Sequence, residues 1–253
     1  VAAVDKALQV LSALSPAGPQ GLSLGDLTGR VGASKASVFR ALAALKYRGF
    51  VTQEEGTGNY CIGPAALLLA DAYLAEENLR TIMHQPLQDL CVHVQELCHL
   101  GILDGDVVVY VDKVEPERAI RVFSTIGARN PSLTTALGRA ILSQVYDNSE
   151  DFTARVTLDM PMRTPHTTRT AAGLWRILEQ ARERGYAVEE EENEIGVCCV
   201  AVAILRREAP VAAVSVTSPT ERFSSSEVED RVHAIHSLIG PRLPVGLRLA
   251  ESA

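Results

Sequence analysis

The chain has 253 residues, 47% of them hydrophobic, so it can bury a sizeable core and hold more than one domain. It carries 24 Lys and Arg against 31 Asp and Glu, a formal net charge of −7 at pH 7. No apolar run reaches the ~18 residues needed to cross a bilayer, since the longest candidate, "PAALLLADAYLA", is shorter and contains Asp71. Five cysteines without framework spacing (Cys61, Cys91, Cys98, Cys198, Cys199) argue against a disulfide scaffold. No basic–apolar–cleavage pattern opens the sequence, and the expectation is a cytoplasmic protein.

Charge is unevenly shared. Up to Gly63 there are six basic and four acidic residues; from Pro64 onward there are 18 basic and 27 acidic ones. The two parts are therefore expected to meet different partners. In the first part, Val4, Ala7, Leu8, Leu11 and Leu14 recur at helical spacing and predict one apolar helix face. After the Pro/Gly-rich loop "SPAGPQG", Ser23 and Asp26 stand in capping-box position ahead of Leu24, Leu27 and Val31. Ser34 then caps a third helix running to about Arg48, with Val38, Ala41, Leu42 and Leu45 facing inward.

The stretch from Arg30 to Arg48 holds five positive charges and no carboxylate. Its outward face of Ala36, Ser37, Arg40, Ala43 and Tyr47, flanked by Lys35 and Lys46, is small in bulk with one long cation at its centre. Small side chains let a helix approach a groove floor, and local positive potential attracts phosphate even when the whole chain is acidic. "FVTQ" and "NYCIG" read as strands around the turn "EEGTG". Three helices with a tight second turn and then a hairpin describe a winged helix-turn-helix, which places a helix in the DNA major groove. The candidate DNA-contacting residues are Ser34, Lys35, Ala36, Ser37, Phe39, Arg40, Lys46 and Tyr47.

Further along, the helix beginning at Ala65 is apolar nearly all round (Leu67, Leu68, Leu69, Tyr73, Leu74), and a partner subunit is its natural cover. "LCHLGILDGDVVVYVDKVE" predicts a hairpin about "DGD", and "AIRVFSTIG" a further strand. "TTALGRAILSQ" and "TTRTAAGLWRILEQARERG" predict helices, the second ending at Gly185. "VCCVAVAIL" and "VAAVSVTS" predict strands, and a last helix is expected with Ser226 and Glu229 as its capping box and Val228, Val232, Ile235 and Ile239 packing. Strand alternation puts Val197, Cys199, Ala201 and Ala203 on one side, and Ser215 with Thr217 on one side of the next strand. Two hydroxyls on one face of an apolar strand need partners if buried, from the protein or from a ligand.

The stretches "VDKALQVLSAL", "SKASVFRALAAL", "GFV", "NYCIGP", "LTTALGRAIL", "GYAVEEEENEIGVCCVAVAI" and "VAAVSVTSPTERF" resemble the IclR family of bacterial transcription regulators, along nearly the whole chain. The resemblance implies an α+β protein: a winged helix-turn-helix over 1–63, a linker helix over 64–79, and a GAF/profilin-like effector-binding and oligomerisation domain over 80–253. It also implies dimers or tetramers on a palindromic or pseudo-palindromic operator. Small organic acids are the implied effector class, with Val197, Cys199, Ser215 and Thr217 in the pocket, Glu189 at its rim, and Gly127 and Ala128 in a closing loop. The chain departs from the family where a basic residue often precedes the wing aromatic. Asn59 precedes Tyr60 here, and Glu54 and Glu55 add acid, so weak wing contacts to phosphate are expected.

Other chemistry is less well supported by the residues. Cys91, His93, Cys98 and His99 lack metal-ligand spacing, so no metal and no cofactor are expected. Cys198 and Cys199 as a redox switch are the alternative, but strand neighbours point to opposite faces and no basic residue within the strand favours a thiolate. An enzyme built on Ser215, Cys199 and His233 or His236 lacks a nucleophile elbow or phosphate loop. The run "EEEENE" is expected to be a solvated loop, apart from Glu189.

Overall fold

The computed structural model describes residues 2–69, 79–118, 124–156 and 161–252. The chain divides into two compact units, Val1–Asn78 and Leu79–Ala253. Most of the linker segment, including Tyr73 and Leu74, lies outside the described residues, as do residues 119–123 of the strand expected at "AIRVFSTIG".

The first unit contains α1 (Ala2–Leu14), α2 (Leu24–Val31), α3 (Lys35–Tyr47) and the antiparallel pair β1 (Val51–Gln53) and β2 (Tyr60–Ile62). Ser23 and Asp26 form the full capping box of α2: the Ser23 hydroxyl accepts from the Asp26 N–H at 3.1 Å, and the Asp26 carboxylate accepts from the Ser23 N–H at 3.3 Å. Gly32 ends α2 at φ +63°, a left-handed conformation that suits glycine, and Ser34 caps α3 two residues later. The tight turn is thus written in one glycine and one serine. The core is Val10, Leu14, Leu27, Val38, Ala41, Leu42, Leu45, Val51 and Tyr60. The α1 face differs from the expectation. Val10 is buried and Ala7 and Leu11 pack beside it, whereas Val4 and Leu8 are exposed, because the helix is rotated toward Val10 and Leu14.

Among the described residues, the second unit is built on a seven-stranded antiparallel sheet. Its strands are β3 (Leu97–Asp104), β4 (Val107–Val114), β5 (Arg129–Pro131), β6 (Ala187–Glu190), β7 (Val197–Arg206), β8 (Ala209–Pro219) and β9 (Leu247–Leu249). The spatial order is β5-β4-β3-β8-β7-β6, with β9 pairing the far end of β7. The helices are α4 (Leu79–Val94), α5 (Ala136–Leu142), α6 (Ser149–Arg155), α7 (Ala171–Arg184) and α8 (Ser225–Leu238). The central strands β7 and β8 are almost wholly buried, which explains their near-continuous apolar composition. α4, α5 and α8 close one core over the sheet, while Phe152, Leu174 and Leu178 join α6 and α7 in a satellite cluster.

The β3–β4 hairpin turns at Gly105 and Asp106, and α7 ends at Gly185 with φ +79°, as read from the sequence. The α8 cap is displaced from its expected place. Ser224 and Glu227, not Ser226 and Glu229, form the capping box, since the serine run offers two registers and the helix begins with Ser225. The described part of "AIRVFSTIG" is a turn, not a strand; the edge strand β5 follows it.

Candidate functional site

On α3 the buried residues Val38, Ala41, Leu42 and Leu45 turn the other face to solvent. Ser34, Lys35, Ala36, Phe39, Arg40, Lys46 and Tyr47 are exposed and Ser37 is half-buried. Phe39 is 54% and Tyr47 83% exposed, a large apolar area for an isolated helix face to show water. The Lys46 ammonium donates to the Gln53 side chain at 3.2 Å, which ties the end of α3 to β1, and the Arg48 guanidinium lies 5.4 Å from the Tyr47 ring centroid. In the wing, the Glu54 carboxylate accepts from Thr57 Oγ1 at 2.6 Å, and Asn59 Nδ2 donates to the Gln20 carbonyl at 3.0 Å. The surface offers a cationic, short-chained ridge flanked by a wing whose polar groups are engaged internally.

The second unit contains a cavity of about 270 Å³ above one face of the sheet. Antiparallel register explains who lines it. Glu189 pairs Cys199 and Cys199 pairs Thr217, so these three form one row across β6, β7 and β8; Ser215 pairs His99 in the next row. Directly paired residues share a face, and Val197, Cys199, Ser215, Thr217 and Glu189 all line the cavity, together with Ala128. Gly127 is not among the lining residues; at φ +83° it makes the adjoining turn, and its N–H donates to the Tyr110 carbonyl at 2.7 Å. The Cys199 thiol and Thr217 hydroxyl are 3.1 Å apart.

Sequence reasoning missed His99, Tyr110, Asn130, Thr135 and Arg163, which come to the same cavity from β3, β4, β5 and two loops. His99 lies against Tyr110, ring centroids 4.4 Å apart, and its Nε2 is 2.7 Å from Ser124 Oγ. Burial, aided by the charge of Lys113, pushes the His99 ring down to about 3, so it is neutral, and its buried Nδ1 has no partner among the described residues. Burial likewise pushes the Tyr110 hydroxyl up. A β-strand histidine beside a strand tyrosine carries no sequence signal of its own, because the pairing is between strands.

Glu189 sits on the floor of the cavity, not its rim, and is 2% exposed. Its Oε1 accepts from the backbone N–H groups of Glu192 at 2.6 Å and Asn193 at 3.0 Å. Burial pushes this carboxyl up to about 7, against the pull of those N–H groups and of Arg139. The acidic run is also less solvated than expected. Glu192 is buried against Arg139, whose Nη1 lies 2.7 Å from Glu192 Oε1 and whose Nε donates to the Leu133 carbonyl at 2.9 Å. Arg139 is itself 2% exposed, on α5.

Cys198 and Cys199 face opposite sides, with thiols beside Thr220 and Thr217, and burial pushes both above the ordinary thiol value, away from the reactive thiolate. Among the described residues, no group of three or more His, Cys, Asp or Glu is placed to hold a metal ion, and no helix is long and apolar enough to cross a membrane.

Comparison with known proteins assigns both units. Residues 3–55 match the IclR helix-turn-helix domain, and residues 71–238 match the bacterial transcriptional regulator IclR C-terminal domain. The chain is 32% identical to the HTH-type transcriptional regulator KdgR of Escherichia coli (strain K12), over 94% of this chain and 89% of that one. The crystal structure of the Thermotoga maritima IclR is 30% identical with a TM-score of 0.72, covering 92% of this chain and 94% of that one. An IclR homolog from Microbacterium hydrocarbonoxydans, complexed with 4-hydroxybenzoate, shares the fold at a TM-score of 0.75 and 18% identity, covering 93% and 97%. With an IclR helix-turn-helix domain followed by an IclR C-terminal domain, and a 32% identical relative along nearly the whole chain, the chain belongs to the IclR family of DNA-binding bacterial transcriptional regulators.

Proposed function

We propose that this regulator's operator affinity is set by a small organic acid held in the 270 Å³ cavity of the second unit. The observation that carries the reading is the pair of hydroxyls, Ser215 and Thr217, turned into the cavity beside the Cys199 thiol and at most 4% exposed. Buried hydroxyls and backbone donors suit a carboxylate without requiring a fixed cation at the floor, and the exposed Arg163 at the lining adds attraction for an anion. Ala128 and Thr125, on either side of the Gly127 turn, border the ligand; Val197 and the Tyr110 ring supply apolar wall. The fold-sharing homolog that holds 4-hydroxybenzoate supports an acid of about this size.

The reading surface of α3 meets the major groove through Lys35, Ala36, Ser37, Phe39 and Arg40, with Ser34, Lys46 and Tyr47 at its ends. A homodimer, or a dimer of dimers, places two such helices on the half-sites of a palindromic or pseudo-palindromic operator. The exposed Leu67, Leu68 and Leu69 at the start of the 64–79 linker favour a second copy as their cover. Ligand changes DNA affinity to the extent that it binds the DNA-competent and incompetent arrangements unequally, typically by ~1–3 kcal/mol or about 5–150-fold, and the linker is the lever.

A thermal-shift screen with small carboxylic acids tests the reading, because a ligand of the native state raises Tm. The Ser215→Ala, Thr217→Val double variant is expected to lose both the shift and the effector response while still binding operator DNA. A normal ligand response in that variant would put the effector elsewhere.

A further inference from the structure

The cavity floor presents a buried carboxylate at the place where an acidic ligand would rest. Glu189, Cys199 and Thr217 stand in one row on adjacent strands. Strands ~4.8 Å apart put the first and third of these within about 10 Å at the backbone, with side chains rising on the same face. The Cys199 thiol, in the middle of that row, meets both the Thr217 hydroxyl, at 3.1 Å, and the Glu189 side chain, so a ligand carboxylate held by Ser215 and Thr217 in the 270 Å³ cavity faces the Glu189 carboxylate across one thiol. Two like charges sharing one buried site disfavour one another's ionisation, and Glu189, Ser215 and Thr217 are all buried.

Among the described residues around Glu189, carboxylates outnumber cations even before a second anion enters. From α5, Arg139 faces it but is already ion-paired to Glu192, so one guanidinium serves two carboxylates. The loop after β6 adds Glu192 and, at the cavity wall, Glu194. Arg163 is exposed and its Nε donates to the Asn193 carbonyl at 3.3 Å. The sheet contributes neutral groups: Cys199 from β7, Tyr110 from β4 and His99 from β3, each held neutral by burial.

We propose that an organic acid enters this cavity together with a proton, taken from solvent onto Glu189, so that effector binding and protonation of this carboxylate are one linked event. The inference rests on the cavity being an acid site, as set out above. With its value already near 7 in the free protein, Glu189 takes that proton readily at neutral pH. Protonated, it turns from a repelling anion into a hydrogen-bond donor to the ligand. The direction of the pH effect follows. Affinity is flat below about pH 7, where Glu189 already carries its proton, and weakens by up to tenfold per pH unit above it.

Isothermal titration calorimetry of the full chain at pH 7.5, in HEPES and in Tris, measures the proton directly, since the buffers differ in ionisation enthalpy. Benzoate, 4-hydroxybenzoate, lactate and gluconate serve as probe acids. Each acid that binds is expected to take up more than half a proton, and to bind close to tenfold more weakly at pH 8.5 than at pH 7.5. Glu189→Gln keeps an oxygen for the Glu192 and Asn193 N–H groups and cannot titrate; it is expected to bind the same acids with no proton uptake and with pH-independent affinity. Acid binding without proton uptake by the unmodified protein overturns the linkage alone, and so does uptake that persists in Glu189→Gln. If none of the four acids binds at millimolar concentration, the reading of the cavity as an acid site falls, and the linkage with it.

Discussion

Replacing Arg139 by Met probes the support beneath the cavity floor. The guanidinium is 2% exposed and makes three contacts: Glu192 Oε1 at 2.7 Å, the Leu133 carbonyl at 2.9 Å and the Val188 carbonyl at 3.2 Å. Met fills most of the volume but leaves Glu192 buried with only Thr168 still donating to it among the contacts described, through its N–H at 2.7 Å and its hydroxyl. Removing one partner of a buried pair costs about 3–5 kcal/mol. Glu192, with a side chain 11% exposed, recovers part of this through water, so the lower end, about 3 kcal/mol, is expected at pH 7. The assay is urea unfolding followed by Trp175, the one tryptophan, which packs against Phe152 in the second unit. At an m-value of about 2 kcal/mol/M the midpoint falls by about 1.5 M. Burial pushes the Glu192 carboxyl up, but the Arg139 and Thr168 contacts outweigh it and hold it below its ordinary value. A depressed folded value contributes stability above the ordinary value of 4.5 that is lost as pH falls. The gap between the two proteins should therefore narrow as pH falls below about 4.5. A loss under ~1 kcal/mol at pH 7, or an equal loss in a Glu192→Gln background, would refute the argument.

Two further outcomes test the reading helix and the α5 contact. Arg40→Ala should weaken operator binding, with secondary structure and oligomeric state unchanged by circular dichroism and light scattering; if Arg40 meets a phosphate, the slope of log K against log salt falls by about one. Unaltered affinity for the operator removes Arg40 from the reading surface. Gly138→Ala should destabilise the second unit by more than ~2 kcal/mol, because a Cβ there would stand 2.1 Å from the Ser132 carbonyl oxygen, a backbone atom that cannot yield. A Trp175-monitored midpoint within error of the parent would show that the Ser132–Thr134 turn moves at little cost.

Much of this protein follows from local pattern alone. Helix α3 and its cap are legible because Ser34 and the spacing of Val38, Ala41, Leu42 and Leu45 act within one turn of one another. The shared face of Ser215 and Thr217 follows from strand alternation, which needs no partner. Where two local registers compete, as in the serine run before α8, pattern is insufficient: the box forms on Ser224 and Glu227, while Val228, Ile235 and Ile239 reach the core as their spacing predicts. The cavity itself is a tertiary product. His99, Tyr110, Arg163 and Arg139 reach it or its floor from elements far apart in sequence, and a strand's neighbours are set by the sheet order β5-β4-β3-β8-β7-β6. The protonation of Glu189 belongs to the same class: its side chain is an ordinary carboxylate in sequence, and only the desolvation created by the assembled sheet, α5 and the following loop moves it toward neutral pH.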